Sequence, residues 1–261
     1  MIRPLYYYIQ KPKERAFAKL YDKWGEYQRY HLVKDLKFLE YRFDVPDTAS
    51  FLSQFKELFV DEIYHFKSEK KSPVIFDCGA NIGTSCLYFK SLYPHAKIKA
   101  FEADTKIASI LEKNLRQNGI EDIEILQRAV WIDDKGIEFS TDGADGGSIY
   151  KGERTQKIES IRLKDYLESS STIDLLKIDI EGAEYEVLKD CQDSLAVVER
   201  LFVEYHSWNG SAQKLSEILA IFEKNRFRYY IESLTHRRHP LDNHGQESDM
   251  DLQLNIFGVK I

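Results

Sequence analysis

Three carboxylates of this 261-residue chain follow three apolar runs, at the points where predicted β-strands end. Asp77 closes the run VIFD, Glu102 follows KAF, and Asp179 closes LLKID. Strands of a parallel sheet place their carboxyl ends on one edge, and ligands of open α/β sheets bind in the crevice along that edge. We therefore expect these three acids to line one ligand-binding crevice.

The glycines after Asp77 indicate which nucleotide-like ligand this crevice fits. A dinucleotide site has the spacing G-x-G-x-x-G, so that the backbone can approach a pyrophosphate, whereas here the run is DCGANIG, with Gly79 and Gly83 but no glycine between them. A carboxylate ahead of the loop suits a cofactor that carries an ammonium and a sulfonium and no phosphate. The sequence therefore predicts S-adenosylmethionine, with Glu102 accepting hydrogen bonds from its ribose hydroxyls.

Each of these residues also has an interpretation that needs no ligand. Asp77 could be the N-cap of the following helix, and Gly79 and Gly83 could serve a tight turn. Arg128 and Ala129 follow the third predicted strand and are placed beside the adenine by position alone.

Five segments stand in order between Phe59 and the C-terminus: VIFDCGANIGTS, AFEADTKIASILEKNLRQNGI, RLKDYL, DLLKIDIEGAEYEVL and LFVEYH. In these segments, and most specifically in the patterns DxGANxG and KIDxEGaE, the chain resembles the FkbM-type family of S-adenosylmethionine-dependent methyltransferases. One departure is Ala103, where the family usually has proline, although Glu102 is kept. The predicted cofactor contacts are Asp77, Gly79, Ala80, Asn81, Gly83, Glu102, Ala103, Arg128 and Ala129.

Methyl transfer from a sulfonium is an in-line displacement, so the protein aligns the reactants and removes a proton when the acceptor is a hydroxyl. His206 has the ordinary pKa closest to neutral and is the first candidate for the general base. Asp179 and, through the resemblance, Glu181 are further candidate catalytic residues. Against these roles, His206 could be a hydrogen-bonded histidine beside Trp208. Carboxylates at a helix start, such as Glu181 and Glu184, are also stabilised by the helix dipole alone; for Glu184 this second interpretation is preferred.

A divalent cation is a further expectation, because some sugar O-methyltransferases use one to orient the acceptor hydroxyls. Asp179, Glu204 and His206 could hold magnesium or manganese if their strand ends adjoin. Three dispersed residues are weak evidence, so a site without metal remains the alternative. The glycine-rich loop Gly143–Ser148 could close over the acceptor, or could be a plain connection.

Strand and helix signals alternate after Pro73, which predicts a parallel sheet with helices on both faces. With the resemblance, this implies a doubly wound, mostly parallel α/β sheet of the class I methyltransferase, Rossmann-like type. Residues 1–72 are predicted to form a helical N-terminal extension and residues 73–261 the methyltransferase domain. Aromatic stripes in the extension predict core packing, a cap over the cofactor edge, or a subunit contact between copies of the chain. Two antiparallel pairs are also predicted: Gly136–Ser140 with Ile158–Leu163, and Phe227–Leu234 with Leu252–Val259.

Composition excludes several classes of protein. With a formal net charge of −6, the chain lacks the broad basic surface that nucleic-acid binding requires. Cys78, Cys86 and Cys191 have neither disulfide-framework nor zinc-site spacing, which fits a reducing compartment. With no run approaching eighteen apolar residues, we expect a cytoplasmic protein without a membrane span.

The leading interpretation is a methyltransferase that acts on a hydroxyl, of a sugar, glycan or secondary metabolite, the acceptor class coming from the resemblance alone. A methyltransferase acting on nitrogen is an alternative, although adenine N-methylation is typical of an (N/D)PP(Y/F) run where this chain has DIEG. A nicotinamide oxidoreductase is disfavoured by the missing pyrophosphate glycine. A catalytically silent binding module of the same fold is the remaining alternative.

Overall fold

The structure is a computed structural model that describes residues 11–140, 155–234, 238–239, 241–242 and 250–261. The helices are α1 (Pro12–Trp24), α2 (Thr48–Phe55), α3 (Thr84–Leu92), α4 (Thr105–Gln117), α5 (Leu163–Glu168), α6 (Glu184–Cys191) and α7 (Leu215–Lys224), with a π-helical turn (Lys56–Val60) and a 3-10 turn (Leu195–Val197). The strands are β1 (Val33–Phe38), β2 (Tyr41–Val45), β3 (Val74–Cys78), β4 (Lys97–Phe101), β5 (Glu124–Leu126), β6 (Ala129–Trp131), β7 (Ile137–Ser140), β8 (Thr155–Ile158), β9 (Ser160–Arg162), β10 (Leu175–Ile178), β11 (Arg200–Trp208), β12 (Phe227–Ser233) and β13 (Met250–Lys260).

A seven-stranded sheet forms the centre of the molecule, in the order β12-β13-β11-β10-β3-β4-β5. The strands from β11 to β5 are parallel, and β13 lies antiparallel between β11 and β12. The chain runs outward in one direction from β3 to β5 and in the other from β10 to β11, so the order reverses between β3 and β10. This topological switch point is where open α/β sheets bind their ligands, and the predicted doubly wound fold is confirmed.

The central strands are apolar because both of their faces are covered, as is usual in parallel sheets. Successive residues of β3 point to opposite faces: Ile75 packs in one hydrophobic cluster and Phe76 in the other. On the first face α4 contributes Leu111, and on the second α6 contributes Leu188, each fully buried. The sheet therefore lies between two helical layers, with only its edge at the strand ends left for a ligand.

The sequence predicts a wholly helical N-terminal extension, and this prediction is wrong for residues 33–45. The strands β1 and β2 form an antiparallel hairpin between α1 and α2, with Leu36, Phe38, Phe43 and Val45 buried. These apolar positions alternate, which is the period of a half-buried strand and not of a helix. The extension shares one hydrophobic cluster with the sheet, so it packs directly on the predicted methyltransferase domain.

Two smaller predictions were partly wrong. The strand β7 pairs with Thr155–Ile158, whereas Ser160–Arg162 pairs in parallel with Ala129–Trp131, so the predicted second member of the inserted pair is divided between two sheets. The closing pair β12 and β13 is confirmed. The predicted loop Gly143–Ser148 lies outside the described residues. No helix among the described segments is long and apolar enough to cross a membrane.

Candidate active site

A pocket opens at the carboxyl ends of β3, β4, β10 and β11, next to the switch point. The residues of its lining that the sequence analysis assigns to the cofactor, called the cofactor side below, are Gly79, Ala80, Asn81, Glu102, Ala103, Arg128 and Ala129. The remaining lining includes Ser53, Glu57, Tyr64, Asp179, Glu181 and Glu204. Seven of the nine predicted cofactor residues therefore line one pocket, while Asp77 and Gly83 lie behind its surface.

The loop after β3 crosses the sheet end so closely that it needs glycine. Gly79 has a φ of +84°, and a methyl group on it would overlap the carbonyl oxygen of Asp179. Gly83 has a φ of +93° at the start of α3, and a Cβ there would lie 2.6 Å from a methyl carbon of Leu111. The amides of Gly79 and Ala80 both donate to the carbonyl of Phe101 at 2.9 Å. The turn interpretation thus holds for both glycines and is compatible with ligand contact.

Glu102 is fixed from both sides by backbone amides. Its Oε2 accepts from Asn81 and its Oε1 from Asp104, each at 2.9 Å. Burial raises the pKa of Glu102 to about 7, although the two amides act in the opposite direction. Asp104 in turn caps α4 by accepting from the amides of Lys106 and Ile107. The carboxylate therefore keeps its orientation toward the pocket despite alanine at position 103.

Sequence reasoning missed Lys177, a buried lysine in the middle of an apolar strand. Its Nζ lies 3.2 Å from Asp77 Oδ1 and 3.2 Å from Asp179 Oδ2, and it donates to the carbonyl of Gly79 at 2.8 Å. Burial opposes its charge, but Asp179 and Asp77 keep the pKa of Lys177 well above its ordinary value. A lysine among four consecutive buried strand positions was the available signal, because such a charge requires a carboxylate partner.

Asp77 is completely buried, so its carboxylate supports the loop from below. Its Oδ2 accepts from the hydroxyl of Ser85 at 2.5 Å. Its Oδ1 accepts no hydrogen bond from the described residues, so its contact with Lys177 is ionic. Direct contact between Asp77 and a cofactor stays a prediction, since Asp77 is fully buried and is not part of the pocket lining.

His206 lies within β11, which continues to Trp208. Its ring is surrounded by acids: Nδ1 lies 3.0 Å from Glu184, and Nε2 lies 3.5 Å from Glu204 and 3.6 Å from Glu181. Burial opposes protonation of the ring, but Glu184 and Glu181 raise the pKa of His206 well above its ordinary value. The acids around both ring nitrogens favour the charged form of the ring, and the general-base role of His206 stays a prediction. The ring does stack beside Trp208, with centroids 6.4 Å apart.

The strand ends of the predicted metal ligands do adjoin. Ligand atoms of Asp179, Glu181 and His206 all lie within 4.8 Å of one another. Glu204 stands beside this group and accepts from the side-chain amide of Gln253 at 2.6 Å. The geometry thus groups two of the predicted ligands, Asp179 and His206, with Glu181, which the sequence analysis had considered only for catalysis, and leaves Glu204 outside the group.

The second group that sequence reasoning missed comes from the N-terminal extension. Glu57, on the π-helical turn, lines the same pocket as the strand-end acids Asp179 and Glu204 and accepts from the hydroxyl of Ser53 at 3.2 Å. Burial raises its pKa to about 7, with Glu204 and Asp179 adding to the shift. This placement favours the cap interpretation of the extension over a subunit contact for the segment that contains α2.

Comparison with known proteins identifies the family. The profile described as Methyltransferase FkbM domain matches residues 77–229, more than half of the chain. Methyltransferase sdnD of Sordaria araneosa is 28% identical over 66% of this chain and 80% of its own length. The 2-O-methyltransferase NoeI of Sinorhizobium fredii (strain NBRC 101917 / NGR234) is 27% identical over 52% of this chain and 65% of its own length.

A solved structure shows a weaker likeness. The crystal structure of Methyltransferase FkbM from Methylobacillus flagellatus KT covers 94% of this chain at 16% identity, and this chain covers 59% of it, with a TM-score of 0.47. The family assignment rests on the profile match, whose residues include the glycine loop, Glu102 and the cluster around His206. The chain belongs to the FkbM family and is an S-adenosylmethionine-dependent methyltransferase.

Proposed function

We propose that the protein transfers the methyl group of S-adenosylmethionine to a hydroxyl of a sugar or a similarly hydroxyl-rich acceptor. The observation that carries this proposal is a single pocket lined both by the glycine loop with the fixed carboxylate of Glu102 and by the further acids Glu57, Asp179, Glu181 and Glu204.

The cofactor side fits an adenosyl group. The two backbone hydrogen bonds to Glu102 leave its remaining lone pairs to accept from ribose hydroxyls. Ala103 and Ala129 offer small apolar surfaces in the same pocket. The backbone of Gly79, Ala80 and Asn81 also lines this pocket and is proposed to hold the amino-acid part of the cofactor. When bound, the sulfonium supplies an electrophilic methyl group.

The charge of the whole pocket lining indicates the kind of acceptor. Of the described residues that line the pocket, six are carboxylic acids and only Lys177 and Arg128 carry positive charge. The ammonium of Lys177 is already held by Asp77 and Asp179, and Arg128 pairs with Glu159 at 3.0 Å. Carboxylates accept hydrogen bonds from hydroxyls and repel phosphate or carboxylate groups. This supports an uncharged, hydroxyl-rich acceptor, as does the name of the relative NoeI, a 2-O-methyltransferase.

Glu57 replaces His206 as the group proposed to take the proton of the acceptor hydroxyl. It lines the same pocket as the glycine loop and the strand-end acids, and a pKa of about 7 suits a base that works near neutral pH. The acceptor is then oriented by His206, Asp179 and Glu181, and none of these three takes its proton.

The experiment has two stages. Isothermal titration should show heat with S-adenosylhomocysteine and none with NAD, and Glu102→Ala should weaken this binding. Tritiated S-adenosylmethionine is then supplied with a panel of methyl glycosides, amino sugars and sugar phosphates. Transfer to neutral glycosides at a hydroxyl supports the proposal. Transfer only to nitrogen, or preferential transfer to sugar phosphates, contradicts it, and absence of transfer to every acceptor favours a silent binding module.

A further inference from the structure

We propose that Asp179, Glu181 and His206 bind one divalent cation of the manganese or magnesium class, with Glu184 orienting the histidine. The binding of this ion depends only on the described side chains. Its use in catalysis rests on the proposed function.

The donor atoms are already close enough to share one ion. One ligand atom each from Asp179, Glu181 and His206 lies within 4.8 Å of the others, and the segment that carries Glu181 is held in place. Glu181 has a φ of +58°, and the amides of Ile180 and Gly182 on either side of it both donate to Glu184 Oε1, at 3.2 and 2.9 Å. The turn therefore presents Glu181 toward the histidine without further rearrangement.

Glu184 fixes which nitrogen of His206 faces the cluster. Its side chain is 1% exposed and lies 3.0 Å from Nδ1, so Nδ1 carries the proton and donates it. A carboxylate that accepts from the second ring nitrogen is the usual partner of a metal-binding histidine, because it fixes the tautomer and the ring orientation. The other nitrogen, Nε2, points toward Glu181 and Glu204.

The donor atoms of the cluster converge on one another. In this tautomer Nε2 directs a lone pair toward oxygens of Glu181 and Glu204, at 3.6 and 3.5 Å. Lone pairs that converge in this way repel unless a proton or a cation lies between them. A divalent cation at this point would accept them, in a site where burial makes uncompensated charge costly.

The donor set indicates the class of ion. Carboxylate oxygens and water suit magnesium and manganese, and imidazole is a good ligand for transition metals, so manganese accepts every donor present. Two carboxylates and one imidazole leave coordination positions for water or for acceptor hydroxyls. Such an ion lowers the pKa of a bound hydroxyl, beside the proposed base Glu57.

The test is isothermal titration of MnCl₂ into the full-length chain after treatment with EDTA, in the absence of cofactor. We expect saturable binding of one ion per chain, at least tenfold weaker in Glu181→Gln. Glu184→Gln should weaken binding by about 10- to 100-fold although it donates no ligand atom to the ion, as loss of an orienting partner does at metal sites. Glu57→Gln is the matched control: it removes a carboxylate from the same pocket but outside the ligand set, and should change the affinity less than threefold.

Circular dichroism of each variant shows whether it is folded. Glu181→Gln is expected to fold, because the side chain of Glu181 is a quarter exposed. Absence of saturable Mn²⁺ binding, or equal affinity in wild type and folded Glu181→Gln, overturns the proposed site. Titration of S-adenosylhomocysteine on the same sample separates this result from the function. Cofactor binding without Mn²⁺ binding refutes only the metal site, and Mn²⁺ binding without cofactor binding refutes only the proposed methyl transfer.

Discussion

Replacing Lys177 with methionine should destabilise the protein far more than removing any surface lysine. The ammonium of Lys177 lies 3.2 Å from both Asp77 and Asp179, and it is buried with Asp77 beneath the glycine loop. Methionine fills a similar volume but leaves the carboxylate of Asp77 without its counter-charge. Breaking a buried ion pair from one side costs about 3–5 kcal/mol of unfolding free energy.

Lys99→Met is the matched control, because Lys99 stands on β4 of the same sheet, separated from β10 by β3, and pairs with Glu124 at the surface. An exposed pair contributes about 1 kcal/mol or less. Urea denaturation should therefore separate the two variants by at least about 2 kcal/mol. In thermal unfolding, the loss in Lys177→Met corresponds to a decrease in Tm of roughly 6–20 °C for a chain of this size.

A second substitution tests the physical cause. If the penalty comes from an uncompensated carboxylate, adding Asp77→Asn to Lys177→Met should restore part of the lost stability, because the buried group is then neutral. The reasoning is refuted if Lys177→Met unfolds within 1 kcal/mol of Lys99→Met, or if the double variant is less stable than Lys177→Met by the full cost of Asp77→Asn alone.

Three further predictions concern the pocket. Because the pKa of Glu102 is raised to about 7, its carboxylate is protonated below that pH and accepts hydrogen bonds from the ribose hydroxyls poorly. The affinity for S-adenosylhomocysteine should therefore rise with pH from 5.5 to about 7 and then level off. Titration calorimetry should show this slope disappear in Glu102→Gln, and an affinity that falls with rising pH would contradict the assignment. Gly79→Ala should lower the unfolding free energy more than Gly119→Ala. Both residues have positive φ, which costs alanine about 1–2 kcal/mol of strain. Of the two, only Gly79 has a backbone oxygen that the added methyl group would overlap. Equal urea midpoints for the two variants would show that the loop does not need this close approach. Glu57→Gln should reduce kcat about 10²- to 10⁴-fold at unchanged affinity for S-adenosylhomocysteine, whereas Glu62→Gln on the exposed surface should not, and equal kcat values in initial-rate assays would remove Glu57 as the base.

The sheet and the cofactor side could be predicted because their signals are local. Strands buried on both faces appear as continuous apolar runs, and the acids that end them mark the binding edge. The glycine loop has a backbone requirement that is visible in the sequence. These features place Gly79, Asn81 and Glu102 at one pocket without any tertiary information.

The remainder depends on contacts between distant segments. The hairpin of β1 and β2 was missed because its turn, Leu39–Glu40, contains none of the residues that mark tight hairpins. Lys177 is one charge in an apolar run, and its purpose is apparent only when Asp77 lies beside it. His206 seemed a suitable base by its ordinary pKa. Glu184 and Glu181, which lie more than twenty positions earlier in the sequence, raise that pKa.

Part of the pocket lining comes from outside the region that matches the family profile. Ser53, Glu57 and Tyr64 belong to the segment before residue 77, whereas the glycine loop, Glu102 and the acids after β10 and β11 lie within the matched region. If the acceptor binds beside Glu57 as proposed, substitutions in the early segment should alter acceptor preference while the glycine loop stays intact. Exchange of this segment between relatives would then be a route to enzymes with new acceptors and an unchanged methyl donor.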